Sequence, residues 1–117
     1  MGGHLATQLA VLRHTTEWML QHGAQDPNDA LAGSSPYLRM FGLVLGGWLL
    51  CRGGLAAANL LKAGGTAGTF STEFLEAKIV TARFYATQLL PQASGLASAA
   101  TAGCADLFAI DAKHLAS

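Results

Sequence analysis

The chain reads as an all-α domain, an antiparallel, up-and-down four-helix bundle, on three observations. Apolar residues recur at spacings of three and four along most of its length. Turn formers interrupt that pattern at Asp26-Pro27-Asn28-Asp29, across the glycine- and threonine-rich residues 63–70, and at Pro91. No stretch alternates apolar and polar as a strand does, and β-branched residues are few. Four amphipathic helices with short connections are expected to pack antiparallel. Their predicted limits are about 4–22, 37–62, 71–90 and 93–113, within a single domain of residues 1–117.

The first helix is drawn from Leu5, Leu9, Leu12, Thr16 and Met19, which fall on one face, with Val11 and Trp18 widening it. Arg13 and Glu17 lie one turn apart on the outer side. Gly23 is the expected stop. A polar connection, 24–34, follows, in which Asn28 or Asp29 can cap one extra helical turn.

The second helix has the sharpest start signal. Ser35 can accept from the free amides of a first turn, and Pro36 has its φ preset for a helix. Leu38, Phe41, Leu45, Trp48, Leu49 and Leu55 leave it a narrow polar face, which predicts a buried, central helix. Gly42 and Gly46 share a face where a neighbouring helix can come close. Gly53-Gly54 is the place where this helix could kink or divide.

Thr69 or Ser71 opens the third helix, with Glu73 and Glu76 in its first turns, where the helix dipole favours negative charge. Leu75, Ile79, Ala82, Ala86 and Leu89 form its inner seam, and Pro91 ends it. Leu96, Ala100, Gly103, Leu107 and Ile110 carry the same spacing through the last helix. The residues from Lys113 to Ser117 are expected to fray.

At 117 residues the chain is one domain by size. Its 12% charged residues stand well below the ~25% of an average soluble domain. Part of so apolar a surface is expected to be covered by another copy or another domain. Seven basic and seven acidic residues cancel, and no basic stripe exists to hold a nucleic-acid backbone. Cys51 and Cys104 read as buried free thiols, with no CxxC motif. The N-terminal residues lack the pattern of a signal peptide, so a cytoplasmic location is expected. The apolar run at residues 40–51 is bounded by Arg39 and Arg52, too short for the ~20 residues of a membrane span.

No set of residues has catalytic spacing. His4, His14, His22 and His114 have no third metal ligand at a fitting distance, and HExxH, GxSxG, GxGxxG and P-loop patterns are absent. Glu73 and Glu76 are explained by the start of a helix. Asp106 reads as an exposed carboxylate, with pairing to Lys78 or Arg83 as the alternative. The charged stretch 72–83 reads as a solvated face; the alternative is a half-buried Arg83 joining helices or domains.

Two stretches carry a family resemblance. The first is Ser35-Pro36-Tyr37-Leu38-Arg39-Met40-Phe41-Gly42, continuing through Gly46-Gly47-Trp48-Leu49-Leu50. The second is Glu76-Ala77-Lys78-Ile79-Val80-Thr81-Ala82-Arg83-Phe84-Tyr85-Ala86, ending in Leu89-Leu90-Pro91. Covering about a third of the chain, they resemble the C-terminal accessory domain of acyl-CoA dehydrogenases of the 3-methylmercaptopropionyl-CoA dehydrogenase type. The resemblance implies a helical, non-catalytic domain that packs on a catalytic body or supports subunit assembly. It places the FAD, the acyl-CoA site and the catalytic base in that body, so this chain is expected to bind no cofactor or metal itself. Tyr37, Arg39, Gly42, Gly46, Trp48, Lys78, Arg83 and Tyr85, all within the two stretches, are the candidates for structural or interface roles. The implied partner is the parent's catalytic domain or a second copy. The competing reading is a free-standing helical module that self-associates or holds an apolar ligand.

Overall fold

The computed structural model describes residues 2–64 and 70–115, and they are all-helical with no strand among them. Helix α1 spans Gly2–Gln25, α2 Pro27–Ala32 and α3 Ser34–Lys62. Helix α4 spans Thr72–Phe84 and runs into a π-helical turn, Tyr85–Leu89, before α5, Gln92–Ala100. A 3-10 turn, Asp106–Phe108, and α6, Ala112–Leu115, follow.

Helix α3 is the axis. Its 29 residues form one unbroken helix, about 44 Å long at 1.5 Å per residue. Gly53-Gly54 does not divide it. The chain then doubles back, and the leg from α4 through α5 retraces α3. Tyr85 lies at Gly46, Leu90 at Gly47 and Ala100 at Gly33. Met40 and Val44 of α3 form the main core cluster with Ala86, Leu90 and Ala93 of that leg. Leu5, Val11 and Leu12 of α1 pack against the same cluster. Thus α1 covers only the N-terminal part of α3, and α4 is its chief neighbour along the rest.

The consequence is an elongated molecule. Its radius of gyration is 19.9 Å and its extents are 67 × 32 × 20 Å. A compact chain of this length would have a radius of gyration near ~13 Å.

Several local expectations are corrected by this packing. Helix α1 continues through Gly23 to Gln25 and stops at Asp26-Pro27. A side chain at Gly23 would crowd Ala30, so this glycine admits α2 instead of ending α1. The buried face of α1 is rotated from the expected one: Leu9 is exposed, whereas Gln8 and Thr15 are buried. Both buried groups are satisfied, Gln8 by Ser94 at 2.9 Å and Thr15 by the Val11 carbonyl at 2.9 Å.

The cap of α2 is Asp26, whose carboxylate accepts from the Asn28 amide at 3.0 Å, rather than Asn28 or Asp29. Ser35 does not cap α3; the helix starts at Ser34 after Gly33, with no side-chain cap. Gly33 is buried against the backbone of Ala100, and this close approach sets where α3 begins. Ser71 caps α4, accepting from the Phe74 amide at 3.1 Å, while Thr69 lies outside the described residues.

The third predicted seam slips by one residue at its end. The π turn, closed by Leu90 N–H to Tyr85 C=O at 2.9 Å, takes an extra residue per turn. Leu90 therefore occupies the core fully buried, and Leu89 turns outward. The predicted last helix, 93–113, ends at Ala100. Gly103 has φ +78°, a left-handed conformation that stops a helix, and Leu107 and Ile110 are exposed. Lys113, His114 and Leu115 are helical, while residues 116–117 lie outside the described residues.

Two glycines separate tight packing from open space. Gly33→Ala drives a methyl group into the Ala100 carbonyl and is expected to destabilise by about 2–3 kcal/mol. Gly95, inside α5, has nothing near its missing side chain, and Gly95→Ala is expected to stabilise by about 0.5–1 kcal/mol. Urea unfolding followed by circular dichroism checks both signs.

Candidate docking surface

The apolar residues of α3 fall into two seams. Met40, Val44, Gly47, Gly54 and Ala57 are buried against the returning leg. Leu38, Phe41, Leu45, Trp48, Leu49 and Leu55, the residues from which a buried helix is predicted, are all exposed. The expectation of a buried α3 is corrected accordingly: the helix is central, but a single layer of neighbours covers one side only. Leu9 and Leu12 of α1 form a wall beside the exposed seam. With Phe41, Val44, Leu45 and Trp48 they line an open apolar groove of about 280 Å³. This groove offers no cluster of N–H donors or cations for a dinucleotide pyrophosphate, so its residues do not fit a flavin.

Tyr85 and Gly46 are brought together. The Tyr85 hydroxyl donates to the Leu43 carbonyl at 2.7 Å, passing where a side chain at position 46 would stand. Burial raises the phenol above its ordinary value. The close-approach face of α3 is thus Gly46-Gly47, and Gly42, with nothing within 4 Å, does not share it. Tyr37 joins α3 to α1, its hydroxyl 2.7 Å from that of Thr16. Arg39 stands exposed and apart. Trp48 lines the groove with Arg52 stacked over its ring at 4.8 Å.

Helix α4 has a second exposed apolar face. Phe70 and Phe74 stack at 5.2 Å, and Val80 and Phe84 continue outward. Lys78 reaches over the Phe74 ring at 5.5 Å. Arg83 is exposed rather than half-buried, and neither it nor Lys78 pairs with Asp106, which is itself exposed. The eight candidates therefore do not converge on one site. They divide between a helix-packing group, Tyr37, Gly46 and Tyr85, and surface residues.

Spacing along the sequence does not bring Asp26, Asp29 and Cys104 together; the fold does. The Cys104 amide donates to Asp29 Oδ1 at 2.9 Å, and its thiol lies 3.7 Å from Asp26 Oδ2. Both cysteines are free and half-buried, not fully buried as expected. Hydrogen bonding to Asp29 leads the effects that push the Cys104 thiol from 9.0 up to about 11, followed by desolvation and the two negative charges. The same hydrogen bonds, from the thiol and the amide, hold Asp29 below its ordinary 3.8. A thiol facing two carboxylates resists becoming a thiolate, and the group clasps the C-terminal segment to the start of α2.

Residues 1–111 match the family described as acetyl-CoA dehydrogenase C-terminal like. The chain is 41% identical over 90 residues to 3-methylmercaptopropionyl-CoA dehydrogenase of Ruegeria pomeroyi. That match covers 77% of this chain and 14% of the relative, so the chain spans a small part of that protein's length. No solved structure matches it.

The clasp has a pH signature. Asp29, with its pKa lowered, contributes stability above about pH 3.8 that is lost as pH falls further. Cys104, with its pKa raised, contributes stability below pH 9.0 that is lost as pH rises toward about 11. The protection factor of the Cys104 amide against hydrogen exchange, its rate relative to an unstructured amide at the same pH, is expected to be highest between these limits. In a Cys51→Ser background, Asp29→Asn is expected to speed alkylation of Cys104 at pH 8 by about tenfold, read by mass spectrometry.

Proposed function

This chain belongs to the acetyl-CoA dehydrogenase C-terminal-like family, and from that premise we propose that it is a non-catalytic accessory domain of a flavin-dependent acyl-CoA dehydrogenase. In this reading residues 1–117 are one helical domain from the C-terminal part of a larger enzyme. The domain packs on the catalytic body, in the cytoplasm, and the body holds the FAD, the acyl-CoA and the base that removes a proton. The domain's part is to cover and brace that body.

The observation that carries the reading is the outer face of α4. Phe74, Val80 and Phe84 of α4 are exposed, as is Phe70 just before it, and Glu73, Glu76, Lys78 and Arg83 are exposed among them. Exposed aromatic anchors interspersed with charges are the composition of a protein-facing patch. The domain's own helices leave this face bare, because α4 packs through Leu75 and Ala82 on its other side. The four-helix packing expected of the chain is completed, on this proposal, when helices of the body lie against α4.

Length and apolar composition would also let α3 cross a membrane, with mean hydropathy 1.5 over its best window. The protein-facing reading is favoured because Arg52 stands on its exposed side, one turn beyond Trp48.

The test uses the catalytic portion of the Ruegeria relative, truncated before its matched region, mixed with this chain. Size-exclusion chromatography is expected to show flavin absorbance co-eluting with the chain, which alone elutes without flavin. Phe74→Asp together with Phe84→Asp is expected to weaken the complex by about thirtyfold or more. Two folded partners that elute separately would overturn the proposal.

A further inference from the structure

The spacing of the exposed seam of α3 reads the same from either end. Leu38, Phe41, Leu45, Trp48, Arg52 and Leu55 follow one another at steps of 3, 4, 3, 4 and 3. That is the spacing with which one helix presents a continuous stripe to another. About a point midway between Leu45 and Trp48, the stripe is self-complementary. An antiparallel second α3 would set Leu38 against Leu55, Phe41 against Arg52, and Leu45 against Trp48. We propose that this seam is a two-fold interface with a second copy of the chain.

Three further observations fit a second copy. The first is charge. Helix α3 carries Arg39, Arg52 and Lys62 and no carboxylate, so a partner must not bring cations face to face. In the antiparallel pairing the two Arg52 side chains stand about 16 Å apart along the axis, beyond the ~8–10 Å screening length. Each guanidinium, already over its own Trp48, also gains the opposing Phe41 ring. Arg39 lies on another side of α3 and does not enter the seam.

The second is area. The five apolar residues of the stripe are each 42–71% exposed, and Leu9 and Leu49 widen it. Together they present several hundred Å² on one protomer, of the order of the ~800 Å² per partner that a stable dimer buries. The third is fit. Gly42 and Gly53 have nothing within 4 Å, which leaves room beside the stripe for a second helix backbone. The groove walled by Leu9 and Leu12 gives Trp48 of the opposite copy a place to seat. Catalytic-body docking through α4 uses a different face, so the two associations can coexist.

Sedimentation velocity of the chain at micromolar concentration is expected to show a dimer. Leu45→Glu, at an exposed position, is expected to raise the dimer dissociation constant about thirtyfold or more with helical circular dichroism unchanged. The register is tested by Leu38→Cys with Leu55→Cys in a Cys51→Ser, Cys104→Ser background. These positions are about 26 Å apart on one helix and cannot bridge within a chain. Mild oxidation is expected to yield a covalent dimer.

A monomer at all concentrations would overturn the inference. So would a dimer that Leu45→Glu leaves intact and that does not cross-link, or partition into lipid vesicles in place of dimerisation. A monomer that still binds the flavoprotein body would remove this inference and leave the accessory-domain reading standing. A seam dimer with no affinity for the body would do the reverse.

Discussion

Everything in this fold rests on how closely the returning leg approaches α3. Gly33, Gly46 and Gly47 meet Ala100, Tyr85 and Leu90, and at Gly33 and Gly46 an added side chain would have no room. Close approach lets Met40, Val44, Ala86, Leu90 and Ala93 form a core from only two layers of helix. The π turn belongs to the same constraint. It re-aims the leg by one residue so that Leu90 and Ala93, rather than Leu89, stay on the buried side. Tyr85, at the first position of that turn, uses the space above Gly46 to reach the Leu43 carbonyl.

A chain folded on one such contact cannot cover itself. Helix α1 reaches only part of α3, and the described residues beyond Ala100 form a 3-10 turn and one short helix. Apolar side chains that a compact domain of this size would enclose therefore stand on two outer faces, one on α3 and one on α4. Exposed patches of this extent on a small domain mark surfaces for partners. The elongated shape follows from the same one-sided packing.

The C-terminal segment is secured differently, by polar groups. Asp26 and Asp29, at the start of α2, hold the amide and thiol of Cys104 some 75 residues later in the chain. Because Asp26 also caps α2, the stop of α1, the start of α2 and the end of the α5 segment are tied at one point. That makes the short α2 a structural joint even though it contributes no buried side chain.

Periodicity determined that the chain is helical, turn formers marked Asp26-Pro27-Asn28-Asp29 and Pro91 as breaks and Thr69 or Ser71 as a helix start, and the motifs within 35–50 and 76–91 carried the family resemblance. These are local properties, set by backbone geometry and by short runs of residues. Tertiary structure alone decided which apolar residues are buried. Helix α3 carries two stripes, 40-44-47-54-57 and 38-41-45-48-55; side-chain size ranks the second as the core, and the structure buries the first. The choice fell to the glycines: Gly46 and Gly47 lie on the side where the leg can come close, whereas the Trp48 side admits no such approach from within the chain. The same holds for the π turn, the end of α5 at Ala100 and the Asp29–Cys104 clasp. Each depends on residues distant in sequence meeting in space, and a periodic pattern carries no record of which faces will meet.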